Sequence, residues 1–331
     1  VELIKPQAGN SVYDPTCGSG GMLIQSANYI KTHGGFVGKL VDVKLYGQEK
    51  NLGTWAICKI NMIVHNLKDS DIRKGDTLHS PKHLDKGELI TYDRVIANPP
   101  FSLKKWWAPA EVDIKTDENG KEIAPSYNSA VSDEYGRFRY GIPPRGYGDL
   151  AFVQHMVSVL KNDGRLGIVL PHGILFRGGS EGKIRQGLLD NDLIEAVVGL
   201  PQKLFYNTGI PASILIINKN KTPNLANKVV FIDASSEYKD GKNQNTLTEE
   251  NINKIVSSYD ALTDIDKFMR VVDMSEIKEN DHNLNISRYI DTSEEETIIN
   301  IASTLQDIHE LETQEQEIDK KLNDYLKSLG F

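Results

Sequence analysis

Ser11-Val12-Tyr13-Asp14-Pro15-Thr16-Cys17-Gly18-Ser19-Gly20-Gly21 reads as a short apolar strand, an acidic residue and then a glycine turn. Gly21 to Thr32 continues with apolar residues at helical spacing and stops at Gly34-Gly35. A glycine turn between strand and helix lets the backbone approach a ligand closely, and the helix start offers free N–H groups and positive potential. The turn is not Gly-x-Gly-x-x-Gly, so the dinucleotide fingerprint is absent. Asp14 suits a cationic amino-acid moiety better than a pyrophosphate. The plain alternative is a strand-to-helix turn with a helix-start aspartate.

Working outward, Val43-Lys44-Leu45-Tyr46 reads as a second strand, followed by a helix from about Asn51 to Asn66. A third short strand precedes Asp76. Further strands are expected at Tyr92 to Ala97, Leu166 to Leu170, Ala196 to Leu200, Ser213 to Ile217 and Val229 to Ile232, with helices at Leu150 to Lys161 and Glu181 to Leu189. Such alternation predicts an α/β fold, a doubly wound and mostly parallel sheet covered on both faces. Residues 102–148 break the pattern, with Trp106-Trp107, a turn signal at Asp117-Glu118-Asn119-Gly120 and the run Arg137-Phe138-Arg139-Tyr140-Gly141. An irregular loop of this length is usually functional or disordered, and its position favours a lid or substrate loop.

The expected organisation is a catalytic domain over 1–233, a mixed connecting segment over 234–291 and a C-terminal helix or helix pair over 292–331. Ser293 with Glu296 forms a capping box. Ile298, Ile301, Leu305, Ile308, Leu311, Ile318, Leu322, Tyr325 and Leu329 follow at three- and four-residue steps, with Glu315 on the same seam. That stripe either folds back on its own domain or is offered to a partner.

Composition narrows the class. A chain of 331 residues, 39% apolar and 25% charged, can bury a large core in one or two domains. No run of 18 apolar residues occurs, so a membrane span is not expected. The start Val-Glu-Leu-Ile-Lys-Pro has neither Met nor a signal pattern and reads as the inside of a longer polypeptide. Cys17 and Cys58 are too few for a disulfide framework, and the cytoplasm is the expected compartment. The net charge of -8 is unlike that of a dedicated nucleic-acid binder; if the protein acts on DNA, another subunit supplies much of the grip.

Asn98-Pro99-Pro100-Phe101, 84 residues beyond Asp14, ends another apolar strand and is the most specific feature. An exocyclic amine on an aromatic ring is a poor nucleophile, because its lone pair is delocalised into the ring. Two acceptors, the Asn98 side-chain oxygen and the Pro99 carbonyl, can hold both N–H bonds and favour a pyramidal nitrogen. Successive prolines restrict the backbone so that the acceptors converge. Phe101 would stack on a base rotated out of a duplex. Asp14, Thr16, Gly18, Ser19, Gly20 and Gly21 form the candidate cofactor turn. Glu49, ending the second strand, can accept ribose hydroxyls. Asp76 either takes an adenine amino group or is a solvated turn aspartate, and Phe205 is either a second wall of the base pocket or a core aromatic. His79 and His83 flank Pro81, which argues against a metal-binding helix face, and no metal is expected. Cys17 reads as a small buried filler.

Through these motifs the chain resembles the modification subunit of type I restriction–modification systems, among the amino-group DNA methyltransferases. The likeness extends through Gly148-Asp149-Leu150-Ala151-Phe152, Val169-Leu170-Pro171-His172-Gly173-Ile174-Leu175-Phe176-Arg177, Gly199-Leu200-Pro201, Phe205-Tyr206-Asn207-Thr208-Gly209-Ile210 and Asn283-Leu284-Asn285-Ile286-Ser287-Arg288-Tyr289. It implies a methyltransferase-type fold, S-adenosylmethionine as cofactor, and methylation of adenine N6 in double-stranded DNA. It also implies assembly with a specificity subunit through C-terminal helices, and with a restriction subunit in systems that carry one. The family's N-terminal helical domain and the segment closing the cofactor site do not occur in this sequence, so weak cofactor binding is expected of the chain alone. Related Asn-Pro-Pro enzymes that act on a protein glutamine or an RNA base are the alternative, as is a scaffold that has lost catalysis. Phe101 favours DNA adenine, since tyrosine is more usual in the protein-directed relatives.

Overall fold

The computed structural model describes residues 1–37, 40–107, 115–116, 122–123, 133–205, 209–292 and 301–328. Its centre is a nine-stranded sheet: β1 (Ser11–Asp14), β2 (Lys44–Glu49), β3 (Asp71–Lys74), β4 (Tyr92–Ala97), β5 (Leu160–Pro171), β6 (Ile194–Gly199), β7 (Ala212–Asn218), β8 (Lys228–Asp233) and β9 (Met269–Asp273). The strands lie in the order β9-β8-β6-β7-β5-β4-β1-β2-β3. β1, β2, β3, β4 and β5 run parallel to their neighbours in that block, whereas β7 is antiparallel to both β5 and β6. β8 returns parallel to β6, and β9 closes the edge antiparallel to β8. The fold is the doubly wound, mostly parallel α/β sheet expected from the sequence, with a C-terminal helix.

Central strands are apolar on both faces, and each face meets its own layer. Val229 and Phe231 of β8 point into the core shared with α3 (Asp149–Ser158) and α4 (Gly179–Asp190), whereas Val230 and Ile232 enter the opposite core. That second core also holds Leu23, Ile24 and Ala27 of α1 (Gly21–Thr32) and Cys58 and Met62 of α2 (Leu52–Val64). A period of two along the strand makes this split obligatory. Asn51 starts α2 by accepting the Thr54 N–H at 3.0 Å, the capping role that asparagine favours.

Several boundaries differ from the sequence expectation. The helix expected to reach Lys161 stops at Ser158, because Leu160 already pairs with Tyr92; β5 then bulges before rejoining β4 at Arg165. Residues 234–291 supply α5 (Glu249–Ala261), the edge strand β9 and α6 (Met274–Glu279), and they lie in one compact unit with the preceding chain, Val1–Asp291. α5 starts in a capping box between Thr248 and Asn251. Within 102–148, Trp106 and Trp107 are buried, and Arg137 is 1% exposed, donating to the carbonyls of Thr77 and Leu78. The turn signal at 117–120 lies outside the described residues.

A second unit, Thr292–Phe331, contains α7 (Ile301–Ser328). Leu305, Ile308, Leu311, Ile318, Leu322 and Tyr325 are exposed along it. Ser293, Glu296, Ile298 and Leu329, read as its cap and stripe ends, lie outside the described residues. No helix among the described residues is long and apolar enough to cross a membrane. Because the first unit carries its own cores, deleting residues 292–331 is expected to leave one cooperative urea transition with its midpoint essentially unmoved. Loss of that transition would show that the helix is part of the folding unit.

Candidate active site

The strand order reverses between β1 and β4: from β1 the chain winds outward through β2 and β3, and from β4 it winds the other way through β5. In open α/β sheets this switch point leaves a crevice at the carboxyl ends of the two strands, where ligands bind. Both sequence motifs leave the sheet there. β1 and β4 pair directly, Val12 with Arg94 and Tyr13 with Val95. Strand spacing and rise then put the Asn98 backbone about 8 Å from that of Asp14.

The glycine turn is built by close approach. Gly18 and Gly20 have φ of 55° and 86°, the left-handed region that glycine occupies without strain. A Cβ on Gly20 would lie 2.4 Å from Met62 Cε and 2.8 Å from Cys58 Sγ, so α2 leaves no room for a side chain. Gly20 caps α1 without a side-chain hydrogen bond, and α1 has no acidic residue in its first turn. Its leading N–H groups are thus left for a ligand. The Ser19 carbonyl accepts from Asn61 Nδ2 at 2.9 Å, which ties the turn to α2. Cys17 is buried with its sulfur 3.9 Å from that of Cys58; the neighbouring thiol and burial push the Cys17 thiol up, as befits a filler.

Asp14 is fully buried. One carboxylate oxygen accepts the Thr16 N–H at 2.9 Å; the other, Oδ2, has no hydrogen-bond partner. Burial pushes the carboxyl up to about 7, the nearby Glu49 carboxylate adds to this, and the Thr16 N–H opposes it. An unpaired buried acceptor is costly, and a ligand ammonium would relieve it. Glu49 ends β2 and receives Gly18 N–H at 3.1 Å on one oxygen and Asn51 N–H at 2.7 Å on the other, so turn and second strand are bonded directly. Gly75 N–H donates to the Glu49 carbonyl at 3.0 Å, bringing the third loop alongside. There Asp76 accepts from the Leu78 and His79 N–H groups and pairs with Lys50 at 2.7 Å. The residues fit S-adenosylmethionine: a carboxylate with one orphaned oxygen for the ammonium, an acid at the end of β2 for the ribose, and a turn without side chains at Gly18, Gly20 and Gly21.

On the other side of the crevice, Asn98 is exposed, Pro99 buried and Phe101 half-buried. Asn98, Pro99, Pro100 and Phe101 line a cleft of about 630 Å³ together with Leu204, Phe205, Ile210 and Gln244. Phe205 stands edge-on to Phe101, ring centres 5.7 Å apart at 71°, and also packs against the core. Sequence reasoning missed the support of this wall. Gln244 Nε2 donates to the Leu204 carbonyl at 2.6 Å, and Asn245 Nδ2 to the Gln202 carbonyl at 3.0 Å. Their polar composition gave no periodic signal. Tyr206, Asn207 and Thr208 lie outside the described residues. His83 is a core residue, with Nε2 3.0 Å from the Gly47 carbonyl. Among the described residues no group of three or more His, Cys, Asp or Glu is placed to hold a metal ion.

The fold and crevice are those of the S-adenosylmethionine-dependent methyltransferase class. The chain belongs to the N-6 DNA methylase family, whose model matches residues 1–297. It is 39% identical to the type I restriction enzyme MjaVII methylase subunit of Methanocaldococcus jannaschii over 99% of this chain and 54% of that protein. With the HindI methylase subunit of Haemophilus influenzae it shares 34% identity over 89% of this chain and 62% of the relative. The crystal structure of a type I restriction–modification methyltransferase subunit from Streptococcus thermophilus superimposes with a TM-score of 0.71 at 37% identity. That match covers 86% of this chain and 55% of the other. The chain therefore spans about half the length of the curated relatives it matches. Membership in a DNA methylase family does not favour the protein-glutamine or RNA-base alternatives.

The raised Asp14 carboxyl has a consequence for stability. Between about pH 4 and pH 7 the native group holds a proton that the unfolded chain has released, so its contribution to stability falls as pH rises through that window. Asp14→Asn keeps an acceptor for Thr16 and removes the titration. The variant is expected to gain on the wild type from pH 4 to pH 7, by on the order of 2–4 kcal/mol, and then to hold the difference. Urea midpoints across pH 4–8 check this; a difference independent of pH contradicts the assignment.

Proposed function

We propose that this chain is the catalytic part of a type I restriction–modification DNA methyltransferase that methylates N6 of an adenine rotated out of the duplex. The observation that carries the reading is the Asp14 glycine turn and Asn98-Pro99-Pro100-Phe101 leaving adjacent parallel strands at the switch point. S-adenosylmethionine, when bound, supplies an electrophilic methyl group on sulfur.

The residues of this chain do the rest by position and electrostatics. Asp14 holds the ammonium of the cofactor, Glu49 accepts from the ribose, and Asp76 keeps a lone pair for the adenine amino group while capping its own turn. Thr16, Gly18, Ser19, Gly20 and Gly21 form the cradle. Across the crevice, the Asn98 side-chain oxygen and the Pro99 carbonyl accept the two N–H bonds of the target amine. That arrangement localises the nitrogen lone pair and aims it at the methyl, with no covalent intermediate on the protein. Phe101 stacks on the base, replacing the stacking lost on leaving the duplex, and Phe205, edge-on to Phe101, walls the same pocket. Methyl transfer needs no metal in this scheme.

Double-stranded DNA is the substrate, and the acidic chain relies on a specificity subunit to hold it. The exposed stripe of α7, Leu305 to Tyr325, is the surface offered to that subunit, with a restriction subunit joining where the system has one. The compartment is the cytoplasm of a bacterium or archaeon.

Asn98→Ala in the assembled enzyme should lower single-turnover methyl transfer by roughly 10²–10³-fold or more. Its dissociation constant for S-adenosylmethionine should stay within about threefold by calorimetry. Retained transfer refutes the role of the amide. Removing residues 292–331 should abolish co-elution with the specificity subunit, and unchanged co-elution would refute the role of α7.

A further inference from the structure

Four residues, Asn98 to Phe101, carry the proposed chemistry after the sheet has ended. Their upstream anchor is the ladder, whose last pairing is Ala97 with Ile168. Their downstream anchor is not secondary structure. Ser102 has φ of 51°, a left-handed conformation that a serine does not adopt without support. The support is a side chain from another segment: Ser102 N–H donates to Asp149 Oδ1 at 2.8 Å.

Asp149 is fully buried, and burial pushes its carboxyl up against the opposing pull of the Ser102 N–H and Arg177. Its second oxygen accepts no hydrogen bond and lies 3.5 Å from Arg177 Nη2. Arg177 is itself fixed, forked onto Glu181 at 2.7 and 3.0 Å with its guanidinium 4.4 Å from the centre of the Tyr147 ring. Two backbone bonds reinforce the same junction: Gly148 N–H to the Leu103 carbonyl at 3.1 Å, and Lys105 N–H to the Arg145 carbonyl at 2.8 Å. An acid in the first turn of α3 also suits the helix dipole, but that role needs no contact with residue 102. A buried carboxylate reaching to an N–H 47 residues away in sequence is a tether.

We propose that Asp149 is a positioning residue for the methylation site. It clamps the downstream end of the Asn98–Phe101 turn, with Arg177 holding its charge in place. The ladder fixes one end, Asp149 the other, and the two prolines stiffen what lies between. The direction of the Pro99 carbonyl and of the Phe101 ring follows from the two anchors. This rests on the adenine-methyltransferase reading of the site.

The test uses the assembled enzyme on its target duplex, with wild type, Asn98→Ala, Asp149→Ala, Asp149→Asn and Asp149→Glu. Single-turnover methyl transfer at saturating DNA and the dissociation constant for S-adenosylmethionine are read for each. Asp149→Ala is expected to slow transfer by roughly 10²-fold, the scale of a 1 Å misplacement, with cofactor affinity within about threefold. Asp149→Asn keeps an acceptor for Ser102 and should recover most of the rate. Should Asp149→Ala not fold, Asp149→Glu carries the test: it keeps the charge, moves the acceptor by a methylene, and is expected to slow transfer without weakening cofactor binding. Unimpaired transfer in Asp149→Ala or Asp149→Glu overturns the proposal, as does a loss of rate matched by a loss of cofactor affinity. If Asn98→Ala also transfers normally, or the wild type methylates no adenine, the reading of the site itself fails and this proposal falls with it.

Discussion

The pairing of β1 with β4 is the constraint on which the rest depends. Tyr13 opposite Val95 fixes the register, and the reversal of strand order at that pair opens the crevice between the two carboxyl ends. A one-residue slip would send Tyr13 and Val95 to the wrong core and turn the following side chains over. Apolar burial on both faces, Val12 and Ile96 on one side, Tyr13 and Val95 on the other, is what makes such a slip expensive. Register set by the core therefore becomes geometry at the site.

Around that crevice the protein carries two buried carboxylates that are only partly satisfied. Asp14 and Asp149 are both fully buried, and each has one oxygen without a hydrogen-bond donor. Asp14 lies under the glycine turn and Asp149 behind the Asn98–Phe101 turn. Buried polar groups left partly unsatisfied cost stability, and sites that bind ions or hold strained backbone are where such a cost is retained. The unpaired oxygen of Asp14 has no protein donor beside it, whereas that of Asp149 already faces an arginine.

Most of the frame was legible in the sequence because it rests on local signals. The span of β4, Tyr92 to Ala97, and that of α1, Gly21 to Thr32, agree with apolar periodicity and glycine punctuation alone. β5 begins six residues earlier than its apolar run suggests, since its polar start at Lys161 to Asp163 is held by a bulge rather than by burial. α5 and β9 gave weak signals for the same reason: α5 buries only Ile255, Ser258 and Tyr259, and β9 is an edge strand. At the site, the turn residues and the Asn98 motif were legible because glycine and proline have few other uses at those positions. The tethers were not. Asp149 reaches Ser102, and Gln244 reaches Leu204, across 47 and 40 residues, and no local pattern encodes a contact at that separation.

The most direct measurement is the crystal structure of the assembled enzyme with a non-reactive analogue of S-adenosylmethionine and its target duplex. The account predicts the analogue's ammonium against Asp14. It also predicts an extruded adenine stacked on Phe101 in the cleft that Phe205 also lines, its amino nitrogen within hydrogen-bond distance of the Asn98 side-chain oxygen and the Pro99 carbonyl and facing the analogue's sulfur position. An analogue bound elsewhere than the glycine turn, or an adenine whose amino group points away from Asn98, would contradict it.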